Sequence, residues 1–286
     1  MSVTKVSSAM QDLTDDYAFS GTVSGAGAVG KNKIINGGFQ VNQRTYVSTA
    51  ATADGTYMHD RWRSGTADSS YTFSVAGPCS PQTVTIAAND SIEQVIEGNM
   101  INTAGTHTIS WTGTATCRAV VNTQTMSGNF AVSPITVTAV LNQVITVQFT
   151  GANAAGGATI ATNTGTLGKV QCELGSSATD FEEQPIGNVI ALCQRYYEAL
   201  TGVAWATMFS MDVTSGSTYY FTVPFKQAKR ATPTMAYTNH ASGQGFNTTV
   251  VGTQGVNTSG FTVSKAAIST TAAGYTSFYW TATAEL

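Results

Sequence analysis

The sequence predicts a mainly β protein: a jelly-roll β-sandwich, a short linking helix, and a second, smaller C-terminal β-sandwich domain. Three observations carry this. Short runs of β-branched and aromatic residues recur at sandwich spacing, separated by Asn, Gly, Pro and Asp. Only 10% of the 286 residues are Asp, Glu, Lys or Arg while 42% are hydrophobic, and Thr, Ser, Ala, Gly and Asn replace the missing charge. Thr and Val suit pleated surfaces, whereas Gly, Asn and Ser suit turns. The period also changes clearly in one place: alternation at Val170, Cys172 and Leu174 gives way to Val189, Leu192, Cys193, Tyr196, Tyr197 and Leu200, one stripe of an amphipathic helix.

Residues 1–30 carry too few apolar side chains for a core of their own. They end in the glycine-rich connector Gly21 to Gly30. A formal GxGxxG at Gly25, Gly27 and Gly30 lacks the strand before it and the helix after it that a dinucleotide site needs, so it reads as linker. Residues 31–186 are the jelly-roll unit. An apolar opening strand runs over Ile34, Ile35, Phe39 and Val41, interrupted by Gly37-Gly38. Further runs follow at Tyr71–Val75, Thr83–Ile86, Ile92–Ile96, His107–Thr112, Thr116–Val121, Ile135–Val140, Val144–Phe149 and Ala158–Ala161, and GTLGKVQCELG supplies the last strand. Residues 187–200 are read as the linking helix, with Asn188 placed to cap it and Gly202 just past its end. Residues 201–286 are the C-terminal β domain, hinged to the first near Gly187 and Gly202.

The composition bounds function. Net charge is −3, and the densest positive cluster is Lys226, Lys229 and Arg230. Phosphate neutralisation needs clustered Lys and Arg, so nucleic acid is disfavoured as a partner. No apolar run is long enough for a transmembrane helix, so membrane insertion is not expected. Acids stand near the N-terminus where a signal peptide would carry its apolar segment, which predicts synthesis in a cytoplasm without a signal peptide. Cys79, Cys117, Cys172 and Cys193 have no metal-ligand or redox spacing and read as buried thiols. His59, His107 and His240 share no local spacing with acids or cysteines, so no metal or cofactor is expected. Catalytic residues are not assigned and the chain is not expected to be an enzyme. Glu182-Glu183 and Asp15-Asp16 are sequence neighbours that point apart in a strand. In Tyr57 to Arg63, Asp60 and Arg61 could act as a catalytic acid and a substrate clamp, or pin backbone around a core Trp62; the second reading is preferred.

The run ELGSSATDFEEQPIGNVIALCQRYYE resembles a signature of tail-fibre and other appendage proteins of tailed bacteriophages. KNKIINGGFQVNQR followed by HDRW is similar to that family's domain opening, and FKQAKRATPTMAY with FYWTATAEL to its closing domain. The resemblance spans residues 31–286. It implies a virion structural protein with a carbohydrate-binding-module-like jelly roll, fixed to other virion proteins through residues 1–30 and contacting a host cell-surface glycan. It leaves open a head fibre or capsid-decorating protein without a receptor role, and a glycan hydrolase. It also implies a homotrimer, and Leu192, Tyr196, Tyr197 and Leu200 are the candidate subunit-interface residues. The aromatic runs Tyr219–Phe221 and Phe278–Trp280 supply candidate glycan-stacking residues Tyr219, Tyr220, Tyr279 and Trp280, because aromatic faces stack on sugar rings.

Overall fold

The computed structural model describes residues 30–74, 81–152, 154–201, 207–242, 244–247 and 251–286. The predicted anchor at residues 1–30 and Cys79 therefore fall outside the described residues, apart from Gly30.

The first unit is two antiparallel sheets face to face. One has β1 (Arg63–Ser64), β4 (Ser91–Ile96), β8 (Ile145–Thr150) and β6 (Thr116–Val121) in that order. The other has β2 (Tyr71–Thr72), β3 (Val84–Ile86), β9 (Gly165–Leu174), β5 (Gly105–Thr112) and β7 (Ile135–Ala139). Alternation decides which side chains are enclosed. Ile145, Val147 and Phe149 of β8 enter the core with Ile92 and Ile96 of β4, opposite Ile109, Trp111, Leu167, Val170 and Cys172 of the second sheet. The run Ala158–Ala161 is not a strand but loop, where Ile160 and Ala161 pack with Phe130 and Ala154 in a small separate cluster.

The opening segment is a turn, not a strand. Asn36 has φ 58° and Phe39 has φ 53°. The Asn36 carboxamide accepts from the Gln40 and Val41 amides and donates to the Val41 and Asp60 carbonyls. A side chain that satisfies that many backbone groups replaces a ladder. Phe39 is thereby folded inward to stack on Trp62 at 4.8 Å, and the Trp62 indole N–H donates to the Asn36 carbonyl. Gly37 passes so close to β9 that a Cβ would lie 2.1 Å from the Val170 carbonyl oxygen. Gly37→Ala is expected to lower stability by about 1–3 kcal/mol, read as a reduced urea midpoint. An unchanged midpoint would show that this loop is free to move off the sheet.

The helix α1 (Ile186–Gln194) is shorter than the stripe suggested. Its N-cap position is Pro185, not Asn188, with no side-chain cap. Arg195 and Tyr196 turn, and Tyr197–Leu200 forms a strand, β10. The helical period through Tyr197 and Leu200 is overruled by pairing with the last strand, β16 (Thr271–Thr283). Val189, Cys193 and Tyr196 pack on Ile35 and Val41 of the opening turn. Gly187 thus lies in the first turn of a helix docked on the jelly roll, and Gly202 is outside the described residues.

The second unit is also a sandwich. One sheet has β10, β16 and β11 (Thr207–Val213), with β13 (Thr234–Ser242) also paired to β16. The other has β12 (Thr218–Pro224), β15 (Gly260–Ala266) and β14 (Gly252–Val256). Phe221, Phe261, Val263, Phe278 and Trp280 fill the space between them. A seam of charge joins the two sandwiches. Arg61 is 1% exposed, forms an ion pair with Glu285, and lies 3.7 Å from the centre of the Tyr196 ring. Arg44 also pairs with Glu285, at 2.8 Å. Lys229 pairs with Glu198 at 2.6 Å and donates to the Gln194 carbonyl at the end of α1, the favourable place for a cation on a helix.

Candidate functional site

The four aromatic residues nominated for sugar stacking are separated by strand alternation. Tyr219, Tyr220 and Phe221 are consecutive in β12, so Tyr220 faces away from its neighbours. Tyr219 and Phe221 point inward, the Tyr219 ring lying edge-on to Phe246 at 5.8 Å while its hydroxyl accepts from the Thr214 amide. Trp280 is corrected from a stacking residue to a core residue: it is 4% exposed and meets Phe261 at 5.1 Å. Tyr279 is half-buried on the outer side of the other sheet, opposite Thr238 of β13. Tyr220 alone of the four is open, at 64% exposure.

What surrounds Tyr220 follows from the register of β12 on β15. Tyr220 is opposite Ser264, Thr222 opposite Thr262, and Pro224 opposite Gly260. The same outward face therefore carries a row of small hydroxyls beside the ring. Thr222 and Thr262 share a hydrogen bond at 3.0 Å, and the Gln254 amide of β14 donates to the Ser264 hydroxyl at 2.9 Å. Alternation from Gly252, which is opposite Ser264, puts Gln254 on this face, and the bulge after Thr253 sets Gly255 opposite Thr262. Beyond Thr222 the face falls into an open groove of about 350 Å³ lined by Pro224, Val256, Asn257, Ser259 and Gly260 among others. Asn257 accepts from the Ser259 and Gly260 amides and so fixes the turn that walls the groove. Sequence reading nominated Tyr220 but not its neighbours Thr222, Gln254, Thr262 and Ser264. The alternation of TYYFTVP could have named Thr222; the others needed the strand register.

Two of the residues nominated for a subunit contact, Tyr196 and Tyr197, also require correction. Tyr196 has no exposed surface: its hydroxyl donates to Glu97 at 2.7 Å and its ring lies against Arg61. Burial pushes its phenol up to about 12. Tyr197 is 9% exposed, its ring centre 3.8 Å from the Arg44 guanidinium. Leu192 and Leu200 are half-buried against the helix cluster and the second core respectively. Tyr196 and Tyr197 are thus spent within the chain, while Leu192 and Leu200 keep part of their surface.

Asp60 and Arg61 are enclosed in the seam. The Asp60 carboxylate accepts from the Gln43 amide at 2.6 Å and from its side-chain amide at 2.9 Å. Burial raises Asp60 to about 6, against the opposing effect of the Gln43 bonds and Arg44. Next to it, burial lowers His59 to about 4. Its Nδ1 is 2.5 Å from the Tyr71 hydroxyl, which also accepts from the His59 amide, so Nδ1 is the acceptor of a neutral ring. These groups hold backbone and one another.

A second polar row crosses the outer face of the β1-β4-β8-β6 sheet. Arg63, Glu93, Gln148 and Arg118 stand side by side in register. Arg63 donates to Glu93 at 3.1 Å, Gln148 donates to Glu93 at 2.8 Å, and Arg118 donates to Gln148 at 2.7 Å. Glu93 and Gln148 are buried, and Arg118 is further tied to the carbonyls of Gly128 and Ala158. Its two arginines keep partial exposure at either end of the row.

The signature residues are likewise internal braces. Glu173 accepts from the Thr179 amide and hydroxyl, and Glu182 accepts from the Asn32 amide at 2.8 Å. Cys117, Cys172 and Cys193 are buried thiols, Cys172 pushed up to about 12 by burial. Among the described residues no group of His, Cys, Asp and Glu is arranged to hold a metal ion, and no helix is long and apolar enough to cross a membrane.

No protein-family model matches the chain, and no curated protein matches it. Two solved structures show a distant likeness. The native structure of recombinant discoidin II of Dictyostelium discoideum superposes with a TM-score of 0.24 at 9% identity, over 86% of this chain and 91% of that one. Wild-type discoidin II from the same organism gives 0.23 at 9% identity, over 85% and 89%. Superpositions at that level transfer no binding property to this chain.

Proposed function

We propose that this chain is a virion structural protein of a tailed bacteriophage, a tail-fibre or tail-tip appendage whose C-terminal sandwich binds a host surface glycan on the outer face of β12, β15 and β14. The observation that carries the binding assignment is the open Tyr220 ring beside a row of fixed hydroxyls and a groove. An aromatic face flanked by small donors and acceptors matches the two sides of a sugar, its C–H face and its hydroxyls. The phage assignment is supported by the sequence signature, whose residues brace the scaffold in the way a fold signature requires. In this reading residues 1–30 attach the chain to the particle, and the protein is a homotrimer whose contacts lie outside the buried Tyr196.

Two experiments test it. Tyr220→Ala is expected to abolish retention of the purified full-length chain on host cells, with its circular dichroism unchanged. Full retention of the variant would remove Tyr220 from the site. Labelled antibody on intact particles is expected to mark the tail tip; label over the head shell would instead favour the capsid-decorating alternative.

A further inference from the structure

We infer that the Tyr220 face takes a neutral oligosaccharide of at least two sugar residues, in preference to an acidic glycan or a single terminal sugar; this rests on the glycan reading above. The charge argument comes first. The side chains of this face are Tyr220, Thr222, Gln254, Thr262 and Ser264, and the groove beyond it is lined by Pro224, Asn257 and Ser259 with no Lys, Arg, Asp or Glu. Lys265 of β15 alternates to the inner side of the sheet and is buried. Selective capture of a carboxylate, sulfate or phosphate is built from Arg, Lys or a convergent set of backbone amides. This surface offers hydroxyls and side-chain amides, which both donate and accept and so match uncharged sugar hydroxyls.

The size argument follows from strand geometry. Tyr220, Thr222 and Pro224 are alternate residues of β12 and lie along one line. At ~3.3 Å per residue the groove, lined from Thr222 to Pro224, begins about 7 Å from Tyr220 and extends to about 13 Å. The far end is beyond the reach of one pyranose, so a sugar stacked on Tyr220 leaves the Pro224 end of the groove to be filled by a continuing chain. The hydrogen bonds between Thr222 and Thr262, and between Gln254 and Ser264, hold these side chains on a sheet before any ligand arrives. Little ordering remains to be done on binding.

The test uses the full-length chain on an array of neutral mono-, di- and trisaccharides together with uronate-, sialate- and phosphate-bearing counterparts, followed by calorimetry on the best binder. Neutral oligosaccharides are expected to bind more tightly than their monosaccharides, with affinity changing by no more than about twofold between about 50 mM and about 500 mM salt. Tyr220→Ala is expected to weaken binding roughly tenfold or more, and Tyr220→Trp to retain it. Preference for acidic glycans with a steep loss in salt would overturn the neutral assignment while leaving the glycan reading in place. Equal affinity for mono- and oligosaccharides would overturn the extended site. No binding of any glycan would remove the glycan reading and this inference together, as would neutral binding that Tyr220→Ala leaves intact.

Discussion

Glu285→Ala is expected to destabilise the chain by about 3–5 kcal/mol, the usual cost of leaving a buried charge without its partner. Glu285 holds both Arg61 and Arg44, and the Arg61 and Glu285 side chains are 1% and 5% exposed. Removing the carboxylate leaves Arg61 with the Val95 carbonyl and the Tyr196 ring but no counter-charge. The guanidinium cannot escape by losing its proton. Because Glu285 stands two residues past the end of β16 while Arg61 and Arg44 belong to the jelly-roll unit, the loss is expected to loosen the seam as well as lower stability. Urea unfolding followed by tryptophan fluorescence measures it. A change below about 1 kcal/mol would match an exposed pair instead, and the seam would then not be the joint described.

The second large effect is hidden in the parent protein by two adjacent residues that oppose each other. His59 titrates near 4 in the fold against an ordinary value of 6.5. The unfolded chain therefore binds the extra proton first, and stability falls as pH drops from 6.5 to 4, by about 3 kcal/mol. Asp60 titrates near 6 against 3.8. Here the folded chain binds the proton first, and stability rises as pH drops from 6 to 3.8, again by about 3 kcal/mol. Over the shared window the two cancel. Asp60→Asn, which keeps an acceptor for the Gln43 amide, should expose the histidine. Relative to the parent, its stability is expected to decline by about 3 kcal/mol on going from pH 6.5 to 4. Taking the difference between the two profiles removes every other titrating group. Parallel profiles would show that Asp60 is not the buried acid described.

The fold was legible where a side chain's face was dictated by local pattern. Val144 to Phe149 displays its apolar alternation openly, and β8 is the central inward-facing strand it implies. Legibility failed where long-range partners took over. Tyr196, Tyr197 and Leu200 continue a helical stripe by coincidence of spacing, but the Tyr196 carbonyl accepts from the Ala284 amide and the residues after it pair with β16. No local propensity announces a partner so distant in the chain. Ile34 to Val41 reads as a strand from its apolar content, and only the Asn36 bonds reveal a turn. In the candidate site, three consecutive aromatics guarantee that one faces out, but not which. That choice is made by the second sheet, which encloses Tyr219 and Phe221. Ser264 and Thr262 come to the same face through register alone.

The central claim is that the outer face of β12, β15 and β14 is where glycan binds. Amide chemical-shift mapping of the full-length chain, titrated with the neutral oligosaccharide that binds best, tests it most directly. The predicted result is a cluster of shift changes at residues 218–224 and 252–264, with the tryptophans of the jelly roll unmoved. Changes centred instead on the row of Arg63, Glu93, Gln148 and Arg118, or no changes at saturating sugar, would contradict it.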